Sequence, residues 1–69
     1  MPYISIEDLP PSISEHLPAH AQEIYRAAFN NAWDEYVARG VKREEIAHRV
    51  AWAAVKRRYR KEGSEWVPL

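Results

Sequence analysis

Ala47-His48-Arg49-Val50-Ala51-Trp52-Ala53-Ala54-Val55-Lys56-Arg57-Arg58-Tyr59 decides the fold. It is the densest apolar run in the chain, and it flows directly into the densest basic run. On a helix turning about 100° per residue, Ala47, Ala51, Ala54 and Val55 share one face. Trp52, Tyr59 and His48 flank that face on one side and Val50 on the other. Small residues at a contact let two helix axes approach toward the short end of the usual ~8–10 Å, and large rings then seal the edges. The stretch therefore predicts a buried helix with a tight helix–helix seam and a charged rim.

Working outward, the partner for that seam lies upstream. Apolar residues pair four apart as Ile24-Tyr25, Ala28-Phe29, Ala32-Trp33 and Tyr36-Val37, a wide stripe of helical period. This predicts a long helix from Pro18 or Ala19 to Arg39. Pro18 suits its first position, where a missing N–H costs nothing, and Gly40 is the expected left-handed stop. Only Gly40-Val41 and Lys42 then separate it from a second helix, Arg43–Lys61, ended by Gly63. So short a link predicts an αα-hairpin. Glu44 and Glu45 favour the start of the second helix, and Arg60 and Lys61 its end, through the macrodipole.

The ends of the chain are expected to be accessories to this hairpin. Pro10-Pro11 opens a short helix, with Ser12 and Glu15 at capping-box spacing. Tyr3-Ile4-Ser5-Ile6 alternates like a short strand. Trp66 is costly to leave in water, so the tail Ser64–Leu69 should fold back, and the Tyr3–Ile6 segment is its expected partner in a minor two-stranded β-ribbon. The fold class is thus mainly α: one domain over residues 1–69, built on a helix hairpin with a short N-terminal helix and a ribbon from the termini.

Composition bounds the rest. The chain has 69 residues, no cysteine, 46% hydrophobic residues and eight aromatics. A domain of this size buries only about 60% of the surface its unfolded chain exposes, so the aromatics must carry much of the core. Absent cysteine excludes disulfides and thiolate zinc sites, and fits a reducing, cytoplasmic setting. The longest apolar run, Val50–Val55, is far short of the ~20 residues that span a bilayer. No basic leader precedes Tyr3, so no secretory signal is expected.

Formal net charge is zero, yet it is unevenly spread. Through Glu35 six acids face the single base Arg26, net −5; from Tyr36 onward nine bases face four acids, net +5. Such a split points to an anionic partner for the second half, or to two halves that neutralise each other. Lys42, Arg49 and Lys56 recur every seven residues, with Arg57 and Arg60 beside them. These five are the candidate contact residues for nucleic acid or another anionic partner; a solvated helix face is the plainer reading. No aromatic is expected among them for base stacking. The long apolar first helix argues against a helix-turn-helix reader.

No catalytic, metal or cofactor pattern emerges. His16, His20 and His48 lack any ligand spacing, and capping, packing or surface roles suit them better. Ser12, Ser14 and Ser64 lack a nucleophile elbow. The acid pairs Glu7-Asp8, Asp34-Glu35 and Glu44-Glu45 lack a calcium loop. Asn30-Asn31 either bond a neighbouring segment or face water.

Several blocks together resemble a known family. Leu9-Pro10 with Leu17-Pro18, Ala19 through Tyr25, Ala28 through Tyr36, Glu45 through Lys56, and Trp66 look like the ChaB family across nearly the whole chain. Val37–Glu44 is compact where some members carry a longer charged insertion. The resemblance implies a small, mainly helical domain with a minor sheet. It also implies a cytoplasmic regulator of cation transport acting on a sodium or calcium/proton antiporter by protein–protein contact, without insertion into lipid. Some viral members are associated with DNA, which keeps nucleic-acid binding as the alternative. The family offers no catalytic residues to carry over.

Overall fold

Two helices packed along each other form the body of the protein, in a computed structural model that describes residues 2–69. The chain runs through α1 (Pro11–Ser14), α2 (Ala19–Glu35), α3 (Arg43–Lys56), β1 (Tyr59–Glu62) and β2 (Glu65–Pro68). Short 3₁₀ segments cover Ile6–Asp8 and Val37–Lys42.

The seam follows the helical period. Ala21, Tyr25 and Phe29 from α2 and Ala47, Ala51 and Val55 from α3 have no exposed surface. Ala54 sits only partly buried at the seam's edge. Leu9, Ile13 and Leu17 close one end of this core, and Tyr59 joins it from β1. The sharp Leu17-Pro18 entry is held by Gln22, whose Nε2 donates to the carbonyls of Ser14 (3.1 Å) and Leu17 (2.7 Å).

α2 stops earlier than its apolar pattern suggests. It ends at Glu35, with Tyr36 at φ −104°, ψ 30°, rather than at Arg39. That end is capped from the next helix. Arg43 donates from Nε to the Trp33 carbonyl at 2.5 Å and lays its guanidinium 4.1 Å from the Trp33 ring centroid. A helix-end carbonyl needs such a partner. Gly40 does adopt positive φ (59°), but inside the 3₁₀ connection that reverses the chain.

The largest departure is at the other end. α3 ends at Lys56, not Lys61, and Tyr59–Glu62 is a strand. It pairs antiparallel with Glu65–Pro68 in the register Tyr59↔Pro68, Lys61↔Trp66 and Glu62↔Glu65. Gly63-Ser64 is the two-residue loop. Gly63 has φ +62° and no non-glycine residue among the described residues has positive φ, the φ signs of a type II′ turn. A ribbon is therefore present, but both strands come from the C-terminal segment. Local helix propensity in the Lys/Arg/Glu run is a weak preference. It is outweighed because the hairpin buries Tyr59 and brings Trp66 onto Trp52, ring centroids 5.6 Å apart.

Tyr3–Ile6 is consequently not a strand. It finds a side chain instead of a sheet edge. Asn30 Oδ1 accepts from the Tyr3 N–H and Asn30 Nδ2 donates to the Tyr3 carbonyl, both at 2.8 Å. One amide thus supplies what one residue of a neighbouring strand would. Arg26 adds bonds to the Tyr3 and Ile4 carbonyls, and the Tyr3 ring packs 4.8 Å from Phe29. Asn31, by contrast, is exposed. Ser12 does not cap α1, whose N-cap is Pro10. The reciprocal pair lies earlier, where the Asp8 carboxylate accepts from the Ser5 N–H.

Candidate functional site

All five candidate basic residues, Lys42, Arg49, Lys56, Arg57 and Arg60, are exposed. They do not form one ridge. Lys42 precedes α3, and Arg49 and Lys56 follow at seven-residue intervals along its outer face. Arg49 is engaged with Glu45 at 3.1 Å, an i,i+4 pair in solvent. Arg57 leaves this line. It borders the groove on the far side of α3, beside Ala28, Ala32, Val50 and Ala54. Arg60 lies on β1 rather than on a helix and pairs with Glu62 at 2.5 Å. Lys42, Lys56 and Arg57 make no ion pair among the described residues.

The hairpin puts a different group together. Lys61 and Trp66 face each other across the ribbon, and Trp66 reaches Trp52 on α3. With Lys56, Ser12 and His16 they line an open pocket of about 410 Å³. Both indoles are half-buried. Aromatics therefore do lie beside a cation of the basic face, against the sequence expectation. A signal for this existed: a Gly-Ser pair between two short runs of mixed apolar and charged residues is a hairpin pattern. A neighbouring cavity of about 290 Å³ shares His16 and Trp66 and is lined also by Glu15 and Glu65.

The titratable groups inside the seam are structural. Tyr25 is fully buried, and its hydroxyl meets His48 Nδ1 in a short hydrogen bond. Burial, with a smaller contribution from Tyr3, pushes the Tyr25 hydroxyl well above the ordinary phenol range, so it stays protonated. That proton needs an acceptor, so the hydroxyl donates and His48 accepts as a neutral ring with its own proton on Nε2. Burial lowers the His48 pKa, and Glu44 acts in the opposite sense. His20 packs edge-on to Tyr59 at 6.2 Å, and His16 lies at the pocket rim. Among the described residues no group of three or more His, Cys, Asp or Glu could hold a metal ion. No helix among them is long and apolar enough to cross a membrane.

Comparison with known proteins agrees with this architecture. The ChaB family model matches residues 9–68. The curated protein "Putative cation transport regulator ChaB" of Escherichia coli K12 is 53% identical over 66 residues, covering 88% of this chain and 87% of its own length. The protein of the same name from Shigella flexneri matches equally. A solved structure, "NMR solution structure of the putative cation transport regulator ChaB", superposes with a TM-score of 0.87 at 46% identity, covering 99% of both chains. The chain belongs to the ChaB family.

Proposed function

We propose that this ChaB family member is a non-catalytic regulatory protein that binds the cytoplasmic face of a cation/proton antiporter, for sodium or calcium, through protein–protein contact. The observation that carries the reading is a fully buried seam that holds α3 with exposed cations at its start and on its outer side, Lys42 and Lys56, neither of them in an ion pair among the described residues. Cations held on a packed helix lose little freedom when an acidic loop docks, which favours association. The names of the relatives supply the transport context. Regulation then requires only that the protein bind one transport conformation more tightly than the other; equal affinity for both would shift nothing.

The test is exchange flux in vesicles containing a purified sodium or calcium/proton antiporter, with the protein added on the cytoplasmic side. A saturable change in rate, matched by co-purification, supports the reading. Unchanged rates together with no association defeat it.

Nucleic-acid binding by the basic face of the last helix is the second reading. It is favoured by Trp52 and Trp66 lying beside Lys56, since stacking platforms with cations suit single strands. Binding to duplex would weaken with salt, each lost phosphate contact flattening log K against log[salt] by about 0.9. The double variant Arg49→Glu with Lys56→Glu should abolish it. No binding at low salt removes the duplex reading.

A further inference from the structure

We infer that the Trp52–Trp66 pocket is a docking site for an extended peptide segment of a partner protein, one carrying acidic residues, then a large apolar side chain, then a basic residue. The inference rests on the reading above only for the partner's identity as a transport protein; the site itself is argued from the pocket.

The two indole rings lie 5.6 Å apart at 31°, a tilted pair in direct contact that forms a wall of the pocket. The pocket's volume, about 410 Å³, falls within the ~300–1,000 Å³ of ligand-sized clefts. Partly exposed tryptophans beside unpaired charges are the composition of binding anchors, because desolvating them on contact yields large gains. Lys56 and Lys61 line this pocket, and neither makes an ion pair among the described residues. The adjoining cavity shares His16 and Trp66 and carries the opposite charge in Glu15, with Glu65, whose side chain alternates to the other face of the ribbon from Trp66, at its edge. Along the groove the order is therefore cationic, aromatic, anionic.

That order selects the occupant. A nucleic-acid strand is negative along its whole length, so Glu15, at the end of the groove away from the lysines, would repel what Lys56 and Lys61 attract. An anionic lipid surface meets the same conflict. A small aromatic anion would fill the first cavity and leave the second unused. A peptide with charges arranged oppositely to the groove satisfies both ends and lays one large side chain against the exposed edges of the two rings. The register Lys61↔Trp66 fixes a cation and a ring on one face of the ribbon, so the site is preorganised by the same hairpin that ends α3.

The probe is a blocked octapeptide of three acidic residues, a phenylalanine and two lysines with alanine spacers. It is titrated while the three indole N–H signals are followed by NMR. Trp33, covered by Arg43 on α3, is the internal control. Expected are saturable shifts of Trp52 and Trp66 below millimolar peptide with Trp33 unmoved. A version with its acids replaced by amides should bind at least tenfold more weakly. So should the wild-type peptide to a Lys56→Glu, Lys61→Glu variant, whose melting temperature should stay near wild type because both residues are exposed. The inference is overturned by the absence of a saturable shift, by equal affinity of the double variant, or by an oligothymidine that moves the two indoles at lower concentration than the peptide. If a Lys61→Glu variant, which leaves Lys42 and Lys56 in place, loses the peptide yet still alters antiporter flux, the pocket is overturned as the regulatory site and the regulator reading stands. If wild type binds the peptide but never associates with the antiporter, the pocket stands and the partner's identity falls.

Discussion

The protein uses aromatic residues in two regions for opposite ends. Within the α2–α3 seam, Tyr25 and Phe29 are sealed completely, and the only polar atom of either side chain is bonded to His48. At the ribbon, Trp52 and Trp66 are covered on one side and share the other with lysines. Equal chemistry in different burial yields different roles. A ring with no exposed surface contributes only to stability, whereas a half-covered ring retains surface that a partner can desolvate.

The comparison breaks first in the seam. Phe29→Ala should remove about 3–5 kcal/mol, most of the ~5 kcal/mol expected of so small a domain. Circular dichroism should then report a largely unfolded chain at 25 °C. A cooperative melt near wild type would mean the seam does not depend on its buried rings.

At the ribbon the same kind of truncation should be milder. Trp66→Ala should cost about 0.8–1.5 kcal/mol, half the value of fully burying a large apolar side chain. Native-state hydrogen exchange should show lost protection in β1 and β2 while α2 and α3 keep theirs. Equal loss in both regions would make ribbon and seam a single cooperative unit.

Acid should act on the seam and spare the ribbon. The folded His48 pKa is lowered by burial, so between that value and the unfolded value of about 6.5 the unfolded chain binds more protons. Stability therefore falls as pH drops through that window and is recovered above it. Protonation also forces Nδ1 to donate, which leaves the Tyr25 hydroxyl proton without its acceptor. Glu44, facing both His48 and Tyr3, favours the charged ring and tempers the loss. Urea midpoints at pH 7.5 and 5.0 should differ for wild type and differ less for His48→Gln; equal slopes would remove His48 as the source.

The smallest effect is expected on the ribbon's outer side. Arg60→Ala breaks an exposed ion pair with Glu62 and should change stability by less than about 1 kcal/mol. A larger loss in thermal melting would show that the pair, and not Tyr59 and Trp66, holds the hairpin.

Sequence reading reached different depths in these two regions. In the seam, the periodicity of Tyr25, Phe29, Ala47, Ala51 and Val55 was enough, because a 3.6-residue period assigns a face without knowledge of the partner. At the ribbon, Lys56 through Glu62 carries helix-favouring residues, and the Gly63-Ser64 turn signal is by itself too weak to show that Tyr59 and Trp66 gain more by pairing. The basic face was legible as a composition but not as a site. Arg57 and Arg60 depart from the line of Lys42, Arg49 and Lys56 because of where α3 ends, and Lys61 enters for the same reason.

By itself, then, the sequence determined the helix pair, where its two helices begin, the return of Trp66 and the family, since each depends on spacing within a short span. Tertiary structure alone decided that α2 stops at Glu35, that Asn30 rather than a strand receives Tyr3, and that Lys61 joins Trp52 and Trp66 at one pocket. Those outcomes depend on residues distant in the chain competing for the same carbonyls and the same apolar surface. Such a competition is settled by the free energy of the assembled molecule, not by any local preference.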